Sequence, residues 1–352
     1  MPEETGLRSP ALILAAGAIV VGLGTFRLVE ARAEAVRSHA GDEAAPTVAE
    51  VVDVEPEGGA TPAGVVVSAH PVLPERFHGV EDAILASPML HHPPFAAEVE
   101  RWVERWSTTF GRWMPTYLER MTSFEAYVDE TLAEHGLPTS LRYLPVIESG
   151  YSPTAVSSAK AVGLWQFMAP TARDFGVEVS ALVDDRRDPF VSTAAAADYL
   201  VQLHERYGSW FLALAAYNAG PDRIDGLIRR WLPGVEPSDA VYWALRNVLP
   251  DETRDFVPNF LGAVIVASDP EAYGFEAPRP VPFDFDRVPV SGSVSFATIA
   301  RATGMPTDEI ARLNPELLRG VTPPDRLVDL RLPPGSSVAF RAYFSELADR
   351  DR

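Results

Sequence analysis

Residues 209–220 read SWFLALAAYNAG, and this stretch decides the fold. Residues 210–216 are apolar on every side of a helix, a pattern typical of a helix buried in a protein interior. Tyr217 and Asn218 are the first polar groups after this run, so their side chains need hydrogen-bond partners at the buried end. They either cap the helix or face a cleft. Gly220 and Pro221 end the helix, and the sequence therefore predicts a domain built around one buried helix.

The surrounding sequence is also helical. Between residues 95 and 135 apolar side chains recur at helical spacing, and Gly136 and Pro138 end that segment. We predict a short helix over 141–148 and a longer one that starts at Ser192 or Thr193 and runs to Gly208. Since no sustained period-two alternation occurs here, residues 95–276 are predicted to form an all-α domain with short connections.

Composition narrows the function classes. The chain has 352 residues, enough for about two domains. Its net charge of −19 disfavours binding to nucleic acid, because the phosphate backbone is also negative. It has no cysteine, which excludes disulfides, thiol nucleophiles and thiolate zinc sites.

The N-terminal quarter of the chain is predicted to be a targeting sequence followed by a linker. Residues 11–26 form an uncharged apolar run, so residues 1–33 are predicted to be a cleaved signal peptide or a membrane anchor, and the sequence leaves both open. Either outcome delivers the rest of the chain across the cytoplasmic membrane. Residues 34–94 are an acidic linker rich in Pro, Ala and Gly. We interpret His91 and His92 as part of a surface loop, not a metal site.

Residues 144–153, LPVIESGYSP, hold the first candidate for chemistry. Glu148 ends an apolar helix and precedes Ser149, Gly150 and a turn. Poor solvation and the negative end of the helix dipole both raise the pKa of a carboxyl group, as a general acid requires. A glutamate at a helix end is otherwise a solvated surface group, and the stretch by itself does not choose between these interpretations.

Residues 161–168, AVGLWQFM, hold the second candidate. Trp165 and Phe167 offer flat apolar surfaces, and the Gln166 amide both donates and accepts hydrogen bonds. Sugars need that mixture of stacking and hydrogen bonding. The alternative is a core loop with a structural glutamine.

Five motifs in order carry a family resemblance: ESGYSP, GLWQFM, DDRRDP, WFLALAAYNAG and LPDETRDFVP. The set resembles the lysozyme-like soluble lytic transglycosylase (SLT) family, in particular its membrane-bound lytic murein transglycosylase D group, over about residues 130–276. The resemblance implies a mainly α, lysozyme-like catalytic domain. It also implies peptidoglycan glycan strands as the substrate and a periplasmic location, with inner-membrane anchoring if the N-terminal segment is uncleaved.

The resemblance also assigns roles to residues. Glu148 matches the family's single catalytic acid/base. In the family, the last of these motifs usually carries a tyrosine whose hydroxyl lies near that glutamate. Phe256 stands in its place here, which puts catalytic efficiency in doubt more than fold. The positions expected to line the substrate site are Ser149, Gln166, Tyr217, Asn218 and Phe256.

A single catalytic carboxylate implies an unusual mechanism, because ordinary glycosidases use two catalytic carboxylates. The resemblance implies that Glu148 protonates the β-1,4 bond between N-acetylmuramic acid and N-acetylglucosamine and then activates the muramoyl 6-hydroxyl. A 1,6-anhydro end forms, with no metal or cofactor. The acidic residues of 184–189 are interpreted as a helix cap and ion-pair cluster, not as a second catalytic group. A goose-type lysozyme-like hydrolase and a non-catalytic peptidoglycan-binding protein remain alternatives.

The C-terminal part forms a separate module. Residues 277–287 are a proline-rich linker, and residues 288–335 combine two strand-like stretches with two short helices. This order resembles a degenerate LysM-type carbohydrate-binding repeat, with Ser291-Gly292-Ser293 where the usual Gly-Asp-Thr turn stands. Glycan binding and a packing role both stay open. Residues 336–352 are predicted to be a polar amphipathic helical tail.

Overall fold

The computed structural model describes residues 82–350, so the predicted signal or anchor, most of the predicted linker and the last two residues lie outside the described part. The fold is mainly helical with one small antiparallel sheet, as the sequence predicts. The first ten helices are α1 Pro93–Ser107, α2 Met114–Met121, α3 Glu125–Glu134, α4 Leu144–Ser149, α5 Ala169–Asp174, α6 Pro189–Tyr207, α7 Trp210–Ala219, α8 Pro221–Trp231, α9 Asp239–Leu245 and α10 Asp251–Ser268.

Helix α7 is the centre of the helical domain, and every residue in it except Tyr217 is buried. Its neighbours are α6, α8, α9 and α10. The Ser209 hydroxyl accepts a hydrogen bond from the Leu212 amide and caps the N-terminus, while Gly220, with φ of +86°, ends the helix. An apolar helix surrounded by other helices is the arrangement predicted from its sequence.

Helices α1 and α10 form the most extensive helix pair of the domain. Trp102 and Trp106 of α1 are buried, and the Trp106 indole donates to the Asn259 side chain of α10 at 2.8 Å. At Gly262 the two helices come so close that a Cβ would lie 2.8 Å from the Trp102 Cβ. Glycine is therefore required at this crossing for steric reasons.

The folded part begins earlier than residue 95. Ile84 and Leu90, from the segment predicted to be a linker, are buried in the main core. The Asp82 carboxylate accepts hydrogen bonds from the backbone amide and hydroxyl of Ser140, at 2.8 and 3.1 Å. Residues 82–94 are thus packed against the helical domain.

Two helix boundaries differ from the sequence prediction. Helix α6 begins at Pro189 and not at Ser192 or Thr193, because Asp188 caps it by accepting from the amides of Phe190 and Val191. Proline at the first position also suits a helix start. The predicted helix over 141–148 is split into a 3₁₀ turn, Thr139–Tyr143, and the short α4.

The C-terminal module contains β1 Asp286–Ser291, α11 Phe296–Thr303, α12 Thr307–Leu313, β2 Leu327–Leu332 and α13 Ser336–Arg350. The strands pair antiparallel, with Val288 opposite Leu330. The stretch before the module is packed against the helical domain, where Phe283 and Phe285 contact the Phe190 ring. Within residues 82–350, no helix is both long enough and apolar enough to cross a membrane.

We predict opposite effects for the same substitution in two helices. Gly262→Ala should lower the free energy of unfolding by about 1–3 kcal/mol, because the added methyl overlaps Trp102. Gly226→Ala in α8 meets no atom within 4 Å. It should raise the free energy of unfolding by up to about 1 kcal/mol, because alanine favours a helix interior. Urea denaturation measures both, and equal effects of the two variants would contradict the close crossing.

Candidate active site

Glu148 lies at the end of the short helix α4. The helix is buried along its whole length, and Gly150, with φ of +58°, ends it against the Tyr117 ring. The Glu148 side chain is only 3% exposed. Burial and the charge of the nearby Glu252 raise the pKa of the Glu148 carboxyl well above its usual value. The site thus holds a carboxyl group that stays protonated at a higher pH than a surface glutamate.

Glu252 is a site residue that the sequence reasoning missed. It lies in the first turn of α10, and its Oε1 accepts a hydrogen bond from the Asn218 side-chain amide at 2.7 Å. Asn218 in turn accepts from the Thr253 hydroxyl at 2.8 Å. Glu252 lies in the motif LPDETRDFVP, four positions before Phe256 and therefore one helical turn away on the same face. This spacing is the sequence signal that could have identified it as a site residue.

Tyr217 and Asn218 make the side-chain contacts that a buried helix end requires. The Tyr217 hydroxyl donates to the Trp165 carbonyl oxygen at 2.7 Å. Burial and the charge of Glu148 raise the pKa of Tyr217, so the phenol lies in the electrostatic field of that carboxyl group. The end of α7 thereby joins the 161–168 loop to α10.

The 161–168 loop is tied to α4 and is also held by a hydrogen bond within itself. The Ser149 hydroxyl donates to the Leu164 carbonyl oxygen at 2.8 Å, which ties the loop to the end of α4. Gln166 has a φ of +52°, and its side-chain amide donates to the Gly163 carbonyl oxygen at 2.9 Å. A non-glycine residue with such a φ is uncommon and is held by its surroundings.

The aromatic residues of this loop belong to the core. Trp165 is 1% exposed and donates its indole N–H to the Thr193 hydroxyl, and Phe167 is also buried. A flat face for sugar stacking is therefore not available at either residue, and the core alternative is correct for them. Phe256 is buried on the same face of α10 as Glu252. The contacts described for the site are contacts within the protein, so they do not test substrate binding. The substrate roles stay predictions for Ser149, Gln166, Tyr217, Asn218 and Phe256.

The acidic residues of 184–189 have structural partners. Asp184 pairs with Arg186, and Asp188 caps α6 and pairs with Arg331. This agrees with their interpretation as a cap and ion-pair cluster. Among the residues that the structure describes, no group of three or more His, Asp or Glu side chains is arranged to hold a metal ion. What the site offers chemically is a carboxyl group of raised pKa beside a second carboxylate, an amide and a phenol.

The burial of Glu148 has a consequence for stability. Its folded-state pKa is raised, so wild type should lose stability relative to Glu148→Gln as the pH rises from about 4 to the folded-state pKa. The difference should reach about 1.4 kcal/mol per unit of pKa elevation. Urea denaturation between pH 4 and 8 measures it.

Glu309→Gln is the matched control for this measurement. Glu309 is bonded to Arg312, which lowers the pKa of its carboxyl, so this variant should show a small effect of the opposite sign. A stability difference between wild type and Glu148→Gln that does not depend on pH would contradict the raised pKa of Glu148.

Comparison with known proteins agrees with the motifs. The family model "Transglycosylase SLT domain" matches residues 127–231, and "Lytic transglycosylase MltD, LysM-like domain" matches residues 284–347. Over 197 residues the chain is 29% identical to membrane-bound lytic murein transglycosylase D of Escherichia coli, an alignment covering 55% of this chain and 43% of that protein. The chain thus spans less than half the length of this relative.

Two further proteins are similar to parts of the chain. Over 105 residues the chain is 38% identical to membrane-bound lytic murein transglycosylase F of Maricaulis maris, covering 28% of this chain and 21% of that protein. A crystal structure of an inactive mutant of lytic transglycosylase Slt from Pseudomonas aeruginosa is 30% identical and covers 44% of this chain and 25% of that one, with a TM-score of 0.34. The two family matches indicate that residues 127–231 form a transglycosylase SLT domain and that residues 284–347 form a LysM-like domain of the MltD type.

Proposed function

We propose that this protein is a lytic murein transglycosylase. It cleaves the β-1,4 bond between N-acetylmuramic acid and N-acetylglucosamine in peptidoglycan, with Glu148 as the acid/base. The observation that carries this proposal is the buried Glu148 carboxyl group within an SLT domain, held beside Glu252 and Tyr217 and protonated above its usual pH range. A general acid works best when its pKa lies near the working pH.

The reaction needs one proton donor that later accepts a proton. Glu148 gives its proton to the glycosidic oxygen, and the bond from that oxygen to the anomeric carbon breaks. The N-acetyl group of the muramoyl residue assists the positive charge that develops there. The Glu148 carboxylate then takes the proton of the muramoyl 6-hydroxyl, whose oxygen bonds to the anomeric carbon. A 1,6-anhydro end results, Glu148 regains its proton and no water is consumed.

Glu252 supports this cycle electrostatically. Its negative charge raises the pKa of Glu148 in the free enzyme and favours positive charge at the reacting carbon in the transition state. The hydrogen bond from Asn218 fixes one oxygen of Glu252. A fixed charge costs no reorganisation during the reaction, so Asn218 acts as a positioning residue in this proposal.

The same observation favours a second candidate function. A hydrolase of this fold requires a water molecule, and ordinary glycosidases also use a second carboxylate. Glu252 supplies a carboxylate near Glu148. The chemistry of the product separates the two activities. A hydrolase leaves a reducing end that is one water heavier than the anhydro end.

The proposed substrate places the protein in the bacterial cell envelope. Peptidoglycan glycan strands are then its binding partner, and residues 1–33 either anchor the protein in the membrane or are removed after export. The relatives whose names describe them as membrane-bound support this location.

We predict that the wild-type chain releases anhydro-muropeptides from purified sacculi and that Glu148→Gln releases none. Mass spectrometry of the soluble products measures both. Glu309→Gln changes a partly exposed glutamate of the C-terminal module and should keep wild-type activity. Products one water heavier would establish the hydrolase instead. Release of no product, with the protein still pelleting with sacculi, would indicate a non-catalytic binding protein.

We also predict a gain of function at Phe256. Phe256→Tyr restores the hydroxyl that the family usually carries near its glutamate. One added hydrogen bond has a net value of about 0.5–1.5 kcal/mol, so kcat/KM should rise about 2- to 10-fold. Phe260→Tyr, one helical turn further along and fully buried, should lower stability without raising the rate. Equal or lower activity of a well-folded Phe256→Tyr would show that the hydroxyl has no role here.

A further inference from the structure

The LysM-like domain and the SLT domain share a continuous interface. Val183, from the SLT domain, is fully buried in the hydrophobic core of the C-terminal module and forms a β-bridge with Leu317. The Leu318 amide donates to the Leu182 carbonyl oxygen at 3.0 Å, and the Asp184 amide donates to the Glu316 carbonyl oxygen at 2.9 Å. Residues 182–184 therefore complete the core of the LysM-like domain.

A buried ion-pair network lies beside this bridge. Arg331 of β2 is 5% exposed, and its guanidinium donates to Asp188 Oδ2 at 2.7 Å and to Glu316 Oε2 at 2.6 Å. At the more exposed rim, Arg326 is bonded to Glu178 and lies 3.6 Å from Asp185. Buried charges are tolerated only in well-matched geometry, so this network specifies one docking arrangement of the two domains.

The interface continues into the loop of the candidate site. Asp184 binds the Arg186 guanidinium through two parallel hydrogen bonds, each of 2.8 Å. The remaining Nη1 of Arg186 donates to the carbonyl oxygens of Lys160 and Phe167, at 3.1 and 3.0 Å. A single residue, Arg186, thereby binds both ends of the segment 160–167.

The loop is also in direct backbone contact with this segment. A Cβ on Gly163 would lie 1.8 Å from the Arg186 carbonyl oxygen, and the φ of Gly163 is +87°. The loop cannot shift toward the 184–187 turn, and the Arg186 hydrogen bonds keep it from moving away. The same loop presents the Leu164 carbonyl oxygen to Ser149 and the Trp165 carbonyl oxygen to Tyr217.

We propose that the LysM-like domain acts as a clamp that positions the 160–167 loop of the SLT domain, with Arg331 and Arg186 as positioning residues. The order of contacts is Arg331 to Asp188 and Glu316, the Glu316 backbone to Asp184, Asp184 to Arg186, and Arg186 to the loop that carries Gln166. Only the effect of the clamp on the reaction rests on the proposed function. The mechanical coupling between the domains needs no substrate. Of the two roles that the sequence leaves open for this domain, the clamp is the packing role.

Native-state hydrogen exchange of the wild-type full chain tests the coupling without any substitution. In rising, sub-denaturing urea, the amides of Val162 and Phe167 in the loop should open with the same urea dependence as the interface amides of Asp184 and Leu318. Amides in the centre of α7 should open only with global unfolding. Loop amides that stay protected at urea concentrations where the LysM-like domain has opened would overturn the clamp.

Two variants test the order of contacts. Arg331→Met/Glu316→Met removes both charges of the central pair, and Asp188 keeps its place at the α6 N-terminus. Loop exchange should become about tenfold faster. Arg186→Lys keeps the charge near Asp184, but one ammonium group lacks the fixed fork that spans the carboxylate and both carbonyls. It should loosen the loop while leaving the interface protected. Arg301→Met, an exposed arginine of α11, is the control.

The kinetic measurement separates this inference from the proposed function. With sacculi as substrate, both loop-loosening variants should raise KM several-fold while kcat falls less, because the Gln166 loop is predicted to contact substrate. Unchanged loop exchange in a folded Arg331→Met/Glu316→Met variant would overturn the clamp even if the enzyme is a transglycosylase. Absence of wild-type activity would overturn the proposed function and leave the exchange result valid.

Discussion

One constraint underlies the structure: polar groups at the end of a buried helix need hydrogen-bond partners. Helix α7 is enclosed by other helices, so the first polar side chains at its C-terminal end must find partners inside the protein. Tyr217 finds a carbonyl oxygen of the 161–168 loop, and Asn218 finds Glu252 and Thr253 of α10. These hydrogen bonds join three separate parts of the chain around Glu148. The candidate site therefore forms where the polar end of α7 packs against the 161–168 loop and α10.

The electrostatics of the site follow from the same packing. Glu148 is buried because α4 is buried, and the loop anchored by Ser149 covers the end of that helix. Glu252 is held near it by Asn218, so a second negative charge adds to the effect of burial. Both effects favour the protonated form of Glu148. Glu148 is thereby a proton donor at a higher pH than a surface glutamate.

The C-terminal module is part of this construction. Its core includes a residue of the SLT domain, and the preceding stretch packs two phenylalanines on Phe190. The 184–189 segment serves both domains, because Asp188 caps α6 while it pairs with Arg331, and Asp184 pairs with the arginine that holds the site loop. A docked domain of this kind constrains the loop, whereas a flexibly tethered one would not.

The resemblance of five ordered motifs to the SLT family made Glu148 the candidate acid. The sequence by itself determined the helical class, the buried helix α7 and the strand-helix-helix-strand order of the module. These follow from local patterns of apolar residues, turns and caps, which are visible within a short window. Only the tertiary structure decided that Trp165 and Phe167 are core residues, that Glu252 lies near Glu148, and that the LysM-like domain is fixed to the SLT domain. Glu148 and Glu252 are about a hundred positions apart, and Arg331 is still further from Asp188. Contacts at such separations depend on how helices pack, and no pattern within one segment encodes that packing.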